Sequence, residues 1–364
     1  MGLKRSQLEH VAEHRERVKK DPHLRWLFFE ITSRCNLNCR HCGSSCTYSG
    51  QSLTVNDVGR TLRTVENEKP MICLTGGEPL LHPEFKDIAE TVRDMGFPWG
   101  MTTNATLIDE ECAFMLRQTG MSTVSVSLDG MEQAHDDLRC QKSAWRRALR
   151  GLRALQKAGF KPQVTTVLHQ ENWDDIEPLY ELLCEMGITS WRPINIEPIG
   201  RACEAGNLQL SPERFAALIA YIREKRFDRN CGMEVTFGCS HYLGVQNERM
   251  VRDHYFLCGA GILTASVRSN GDICACLDIA NRQDLVQGNI RTDNFRDVWY
   301  DRFEVFRRDR TADCAKCVKC AERFICGGDA AHTWDYENKA PLLCYQDYGQ
   351  FLERGYGGNT GNGV

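Results

Sequence analysis

Long apolar runs and a secretory signal are both missing from this sequence. No stretch of it approaches the roughly 20 apolar residues that a membrane-spanning helix needs. The chain starts MGLKRSQLEH, which carries charges where a signal peptide would be apolar. We therefore expect a cytoplasmic protein with no membrane partner.

An excess of charge of one sign is also missing. The 45 Lys and Arg residues nearly balance the 49 Asp and Glu residues, which gives a net charge of -4. No global basic character points to nucleic acid, so we expect no nucleic-acid partner. Hydrophobic residues make up 42% and charged residues 26%, the profile of an ordinary globular protein.

Cysteine, in contrast, is abundant, with 19 in 364 residues. A chain of this length buries a core without covalent links, and disulfide-dense proteins are usually small and secreted. The cysteines should therefore bind metal, react, or be buried as small apolar groups. For isolated ones such as Cys184, in the apolar segment YELLCEMG, burial is the expectation. The others form an early group and a late group: Cys35, Cys39, Cys42 and Cys46, then Cys258, Cys274, Cys276, Cys314, Cys317, Cys320, Cys326 and Cys344.

Apolar runs alternate with amphipathic segments through the first two thirds of the chain, which indicates βα units on a parallel sheet. Six units are fewer than the eight of a closed barrel, so we predict an α/β fold with a partial (β/α)6, TIM-like barrel. The predicted strands are 24–32, 71–75, 99–103, 123–128, 163–168 and 191–196, and the predicted helices 55–68, 84–96, 109–119, 143–158 and 174–186. The predicted organisation is an N-terminal helical extension (1–23), the barrel (24–210), a linking helix and segment (211–256), a small cysteine-rich domain (257–348) and a flexible tail (349–364).

A CxxxCxxC motif, formed by Cys35, Cys39 and Cys42, follows the first predicted strand. Three thiolates on one loop can hold three corners of a cubane iron–sulfur cluster, which leaves one iron open to another ligand. Strand ends of this kind carry the active sites of barrel folds. The alternative is a zinc site that borrows Cys46.

This motif resembles that of the radical S-adenosylmethionine (radical SAM) enzymes, and the resemblance covers roughly residues 24–210. It implies a [4Fe-4S] cluster whose open iron binds SAM, reductive cleavage of SAM to a 5′-deoxyadenosyl radical, and an external electron donor of the flavodoxin or ferredoxin type. The turn after the second strand is similar to the GGEP motif of that family, which approaches the methionine part of SAM. Its residues are Gly76, Gly77, Glu78 and Pro79.

The resemblance also assigns SAM contacts to later strand ends. It implies that Asn104 faces the ribose and that Arg139 pairs with the SAM carboxylate, for which the guanidinium fork is suited. A solvated surface ion pair is the alternative for Arg139. Further implied contacts are His41, against adenine mainly through its backbone, and Ser127, Asp129 and Leu168.

The late cysteines have a spacing that resembles the SPASM domain, the auxiliary-cluster extension of many radical SAM enzymes, over about residues 256–348. A zinc knuckle is the alternative for the closely spaced members. The resemblance implies an outer cluster on Cys317, Cys320, Cys326 and Cys344, and an inner one on Cys258 and Cys276.

The sequence departs from the SPASM pattern at position 330, where the family expects a cysteine and this chain has Ala330. Cys314 is the favoured replacement, with Cys274 and Asp329 as the other candidates. The inner cluster could also have an open iron, be a two-iron cluster, or be absent. We therefore expect one or two auxiliary clusters.

For function, we expect oxidation or crosslinking of residues in a ribosomally made peptide or protein. Only 34 residues precede Cys35, too few for a leader-recognition domain, so a separate recognition protein is expected if a leader is read. Alternatives are a haem-pathway propionate decarboxylase and, least favoured, an iron–sulfur carrier without SAM chemistry. Candidate catalytic residues are Cys140 or Cys239 as hydrogen donors and Asp278 as a base. The alternatives are a buried structural thiol for either cysteine and a solvated loop position for Asp278.

Overall fold

The computed structural model describes residues 5–44, 51–204, 208–228, 230–238, 241–253, 255–279 and 282–354. Its strands are β1 (Trp26–Thr32), β2 (Met71–Gly76), β3 (Trp99–Thr103), β4 (Thr123–Ser127), β5 (Gln163–Leu168), β6 (Ser190–Asn195), β7 (Glu234–Val235), β8 (Thr264–Val267), β9 (Asp272–Cys274), β10 (Gly288–Asn289), β11 (Trp334–Asp335) and β12 (Ala340–Pro341). Its α-helices are α1 (Arg5–Lys20), α2 (Val55–Thr64), α3 (Phe85–Asp94), α4 (Glu110–Gln118), α5 (Glu132–Arg139), α6 (Ala144–Lys157), α7 (Ile176–Glu185), α8 (Pro212–Arg226), α9 (Val245–Val251), α10 (Phe295–Asp301), α11 (Glu304–Arg307), α12 (Ala315–Val318), α13 (Arg323–Cys326) and α14 (Tyr345–Arg354).

The barrel strands β1 to β6 lie side by side in chain order, and every neighbouring pair is parallel. This confirms the predicted α/β class. The sheet has the order β10-β9-β8-β1-β2-β3-β4-β5-β6-β7, so within the described residues it ends in two edges rather than closing. A partial barrel is compatible with this arrangement.

The cysteine-rich region shares the barrel's sheet instead of forming a sheet of its own. Strand β8 pairs in parallel with β1, from Trp26 opposite Thr264 to Phe29 opposite Val267. Strands β9 and β10 then continue the sheet in antiparallel fashion. Because β8 is parallel to β1 and lies directly beside it, the loops that follow these two strands leave the sheet at the same end.

The two faces of the barrel sheet differ in polarity. Along β5, Val164, Thr166 and Leu168 are buried, and Val164 and Leu168 belong with the helices' apolar side chains to the main core. The alternate residues are half-buried, and on the same face Ser125 of β4 and Thr165 of β5 exchange a hydrogen bond of 3.0 Å. Side chains alternate across a strand, so the face opposite the helices is polar enough to receive a polar ligand.

Two features differ from the sequence-based expectation. Helix α5 was not predicted, because the segment EQAHDDLR contains too few apolar residues to show a helical period. Cys184, expected to be a buried free thiol, instead forms a disulfide with Cys231 across 47 residues of chain. Helix α7 carries Cys184, and Cys231 follows α8.

Candidate functional site

The three cysteines of the early motif lie together at the carboxyl end of β1. Cys39 is buried, and Cys35 and Cys42 pack around it with Leu37 and Ala144. Backbone N–H of Leu37 approaches the Cys35 sulfur at 3.4 Å. Thiols collected in an apolar cluster, with an N–H donor directed at sulfur, fit the ligand set of an iron–sulfur cluster. Cys46, the alternative fourth ligand of a zinc site, lies outside the described residues.

The turn after β2 contacts the start of this loop so closely that it requires glycine. A Cβ at Gly76 would lie 2.5 Å from the carbonyl oxygen of Thr32, and one at Gly77 would lie 2.2 Å from that of Arg34. The amides of Gly77 and Glu78 donate to those same two carbonyls at 2.8 and 2.7 Å. The GGEP turn and the cysteine loop are therefore fixed to each other by their backbones.

Glu78 is buried beneath the turn, where it accepts hydrogen bonds from the chain itself. Thr103 Oγ1 and the Asn104 amide donate to its two carboxylate oxygens at 2.8 and 2.9 Å. Burial raises the pKa of Glu78 to about 7, against the opposing effect of these donors. Asn104 in turn donates to Asn36 of the cysteine loop at 3.0 Å. These contacts give Glu78 a positioning role between β2, β3 and the loop.

Arg139 is neither solvated nor on the surface. Its Nε donates to Asp129 Oδ2 at 2.7 Å, and its Nη1 lies 3.6 Å from the Cys39 sulfur. Burial acts to raise the pKa of Asp129, but Arg139 outweighs it and the pKa falls to about 2. The alternative of a solvated ion pair is therefore wrong, because the pair is buried at the end of helix α5. The contact of Arg139 with a SAM carboxylate stays a prediction.

The remaining predicted SAM contacts lie at the ends of neighbouring strands. His41 is half-buried in the cysteine loop, and burial lowers its pKa to about 3. Pro79 begins a short 3-10 helix directly after Glu78. Ser127 is half-buried at the end of β4, whereas the Leu168 side chain is fully buried in the core at the end of β5. Leu168 could therefore reach a ligand only through its backbone.

The four cysteines predicted to hold the outer cluster line one cavity. They are Cys317, Cys320, Cys326 and Cys344. Tyr242, Lys316 and Asp329 contribute to the same wall. The four cysteines lie in α12, just after α12, in α13 and just before α14, so the cavity exists only in the folded domain. Four thiols around one cavity fit a cluster with four cysteine ligands.

The inner pair is arranged around the segment that follows Asp329. The amide of Ala331 lies 3.3 Å from the Cys258 sulfur, and Ala330 is fully buried in the same cluster of side chains as Cys258. The Cys276 thiol contacts the imidazole of His332. The two predicted sulfur ligands therefore flank the position at which the family cysteine is missing.

A chain of buried acids and histidines was not anticipated from the sequence. Glu197, just beyond β6, lies 2.9 Å from His332 Nε2 and 3.4 Å from His241 Nε2. His241 Nδ1 lies 3.0 Å from Asp329, which lines the outer cavity. Burial acts to lower the pKa of His332, but Glu197 and Cys276 raise it well above its usual value. Glu197, His241 and the Asp329–His332 segment lie far apart in sequence, so no local pattern could have linked them.

Asp278 lies between the two cysteine groups. Its Oδ2 is 3.8 Å from the Cys276 sulfur. A Cβ at Gly43, the residue after Cys42, would lie 3.7 Å from Asp278 Oδ1. The carboxylate is therefore held beside both the cysteine loop and the inner pair.

Cys140 is exposed rather than buried and lies next to Arg139 at the end of α5. It lines a surface cleft of about 530 Å³ together with charged residues of α5 and the following turn. Cys239, the other predicted hydrogen donor, lies outside the described residues. No helix among the described residues is both long and apolar enough to cross a membrane.

Comparison with known proteins agrees with this geometry. Residues 29–183 match the radical SAM superfamily, and residues 258–321 match SPASM, an iron–sulfur cluster-binding domain. The AdoMet-dependent heme synthase of Methanosarcina barkeri (strain Fusaro / DSM 804) is 30% identical over 346 residues, which cover 88% of this chain and 97% of that one. The chain belongs to the radical SAM superfamily.

Two further proteins are similar to this radical SAM enzyme. Mycofactocin maturase MftC of Mycolicibacterium smegmatis is 27% identical over 83% of this chain and 76% of its own length. The crystal structure of Streptococcus suis SuiB bound to precursor peptide SuiA has a TM-score of 0.71 and 19% identity, over 88% of this chain and 75% of that one. The SuiB similarity shows the fold alone.

Membership in this superfamily, together with the SPASM match, supports SAM and iron–sulfur clusters as cofactors. The expected radical SAM and SPASM assignment is confirmed. An iron–sulfur carrier without SAM chemistry has no support in these matches. The number and type of the auxiliary clusters, and the role of each cysteine, stay predictions.

Proposed function

We propose that this enzyme oxidises or crosslinks a side chain of a ribosomally made peptide or protein. The observation that supports this best is the position of Asp278 between the cysteine loop and Cys276. When bound, SAM and the clusters supply a radical that removes one hydrogen atom and an acceptor for one electron. The chain itself must then accept the remaining proton, so that two hydrogens leave the substrate in all.

Asp278 is the residue that we propose accepts that proton. Removal of a second hydrogen from a C–H, O–H or S–H group releases a proton as the electron departs, and a carboxylate beside the reacting group can take it. Decarboxylation of a propionate releases carbon dioxide instead and needs no such base. A carboxylate at this position would also repel the carboxylate of that substrate. Asp278 therefore favours side-chain oxidation.

The remaining residues of the site would hold and orient SAM rather than react. Gly76 and Gly77 hold the GGEP turn, which would approach the methionine part of SAM, against the cysteine loop. Arg139, fixed by Asp129, brings positive charge next to Cys39 and towards the SAM carboxylate. We further propose a cytoplasmic enzyme that receives electrons from a flavodoxin or ferredoxin, and a separate leader-recognition protein if the substrate carries a leader.

A second candidate is decarboxylation of a tetrapyrrole propionate. It is favoured by the similarity to the heme synthase over almost the whole of that relative. It is also favoured by Arg192, which is half-buried on the polar face of β6 and has no ion-pair partner among the described residues. An unpaired guanidinium there would attract a substrate carboxylate.

The Asp278→Asn variant tests the first proposal, with Asp284→Asn as its control. Asp284 is an aspartate of the same region, paired with Arg282 at the surface at 3.0 Å. With reconstituted enzyme and the short peptide encoded beside the gene, we expect D278N to lower the ratio of oxidised peptide to 5′-deoxyadenosine by about 10²–10⁴. D284N should leave that ratio unchanged. An unchanged ratio in D278N would contradict the proposed role of Asp278 as the base.

A further inference from the structure

The inner pair lacks the protein ligands that an auxiliary cluster needs. Cys258 and Cys276 supply two sulfurs, and the buried Ala330 supplies none. Both cysteines nevertheless contact the segment just after Ala330, Cys258 through the amide of Ala331 and Cys276 through the side chain of His332. The missing ligand should therefore come from this segment.

His332 is the metal-binding side chain that this segment presents to the inner pair. Its Nε2 lies 2.9 Å from Glu197 Oε2, and both side chains are at least nine-tenths buried. This leaves Nδ1 as the ring nitrogen available to a metal. Histidines that bind metals usually give their other ring nitrogen to a carboxylate, which fixes the ring and increases its basicity. Glu197, itself held by His241, performs that function here.

The three replacements suggested by the sequence are less well placed. Cys314 contacts Cys317 and packs against Trp334, on the side of the outer set. Both carboxylate oxygens of Asp329 are engaged, with the Tyr242 amide at 2.8 Å and with His241 Nδ1 at 3.0 Å.

Cys274, the third suggested replacement, is buried at the end of β9, where its thiol contacts Arg268 and lies near Cys276. Asp329 lines a pocket with Cys258 and Ala331. His332 is better placed than either, because its ring contacts Cys276 directly and its Nε2 is fixed by Glu197.

We propose that His332 takes the place of the absent cysteine and binds the inner auxiliary cluster through Nδ1, together with Cys258 and Cys276. The proposal rests on the auxiliary-cluster assignment and not on the identity of the substrate. Exchange of a thiolate ligand for imidazole makes a cluster's reduction potential more positive. His332 would thus make the inner cluster a better acceptor for the electron that substrate oxidation releases.

The test uses full-length protein in which Cys35, Cys39 and Cys42 are changed to Ala, so that only auxiliary clusters remain. Iron is counted after anaerobic reconstitution, and the reduced protein is studied by pulsed EPR with ¹⁵N-labelled histidine. We expect about eight irons per chain, from two clusters of about four, and a ¹⁵N coupling of the size that a directly bound nitrogen gives. His332→Ala should abolish this coupling and lower the iron content by up to about four.

Two variants separate ligation from a general effect of changing a buried histidine. His82→Gln changes a buried histidine outside this network, bonded to the Leu53 carbonyl at 2.8 Å, and should leave both the coupling and the iron count unchanged. Adding Ala330→Cys to the His332→Ala variant should restore the iron without the ¹⁵N coupling. The proposal is overturned if the parent protein binds only about four irons, if it shows no strong ¹⁵N coupling, or if the coupling survives in H332A. Peptide oxidation is measured separately in the intact enzyme, so either proposal can fail alone.

Discussion

Gly77→Ala should strongly lower the stability of the folded enzyme, although it adds only one methyl group. The new Cβ would lie 2.2 Å from the Arg34 carbonyl oxygen and 3.0 Å from Cys35 Cβ, where ordinary contacts begin at 3.4 Å. Overpacking of this kind costs about 1–3 kcal/mol. Displacement of Arg34 would also weaken the two backbone hydrogen bonds of the turn, each worth about 0.5–1.5 kcal/mol. The sum is a loss of about 2–6 kcal/mol.

Gly59→Ala is the matched control. Gly59 lies inside helix α2, and a Cβ there would meet only Thr91, at 3.6 Å. Alanine is favoured over glycine there by about 0.5–1 kcal/mol. The free energy of unfolding of the cluster-free protein, measured with denaturant, should thus fall in Gly77→Ala and rise in Gly59→Ala. After reconstitution, Gly77→Ala should also lose SAM cleavage, because Cys35 moves with Arg34. The reasoning is refuted if Gly77→Ala unfolds like the wild type and still cleaves SAM.

Three further predictions concern the ion pair and the outer cavity. Arg139→Met should destabilise the cluster-free protein by about 3–5 kcal/mol, because it leaves Asp129 buried without a partner. Adding Asp129→Asn should recover part of this loss. Strictly additive costs of the two substitutions in urea unfolding would contradict the prediction. The pKa of Asp129 is about 2 in the folded protein and ordinarily 3.8, so about 2 kcal/mol of stability, present above pH 4, should vanish as the pH falls towards 2. Asp129→Asn should lack this acid-dependent loss of stability. An equal change of stability with pH in the wild type and in this variant would contradict the prediction. Cys317→Ala should lower the iron content by up to about four per chain, whereas Cys112→Ala should not, and equal iron contents would exclude Cys317 as a ligand.

The barrel could be predicted because its signals are local. Each strand from β1 to β6 is a short apolar run between turn residues, and each structural strand lies within two residues of its predicted start and end. The cysteine loop and the GGEP turn follow strands directly, so their meeting at one end of the sheet follows from parallel pairing.

What could not be predicted depends on contacts between distant segments. The pairing of β8 with β1 joins residues more than 200 positions apart, and a four-residue strand has no period to show its partner. The same applies to the approach of Glu197 to His332. Ala330 could be recognised as a departure from the family pattern, but its neighbours could be identified only in the structure.

The proposed reaction of this radical SAM enzyme is oxidation of a peptide side chain. To test it, anaerobically reconstituted enzyme with SAM and dithionite is given two substrates in parallel: the short peptide encoded nearest the gene, and an iron tetrapyrrole that carries propionates. We expect 5′-deoxyadenosine release stimulated by the peptide, with loss of two hydrogens from the peptide mass. Loss of carbon dioxide from the tetrapyrrole, with an unchanged peptide, would contradict the claim and support the second candidate.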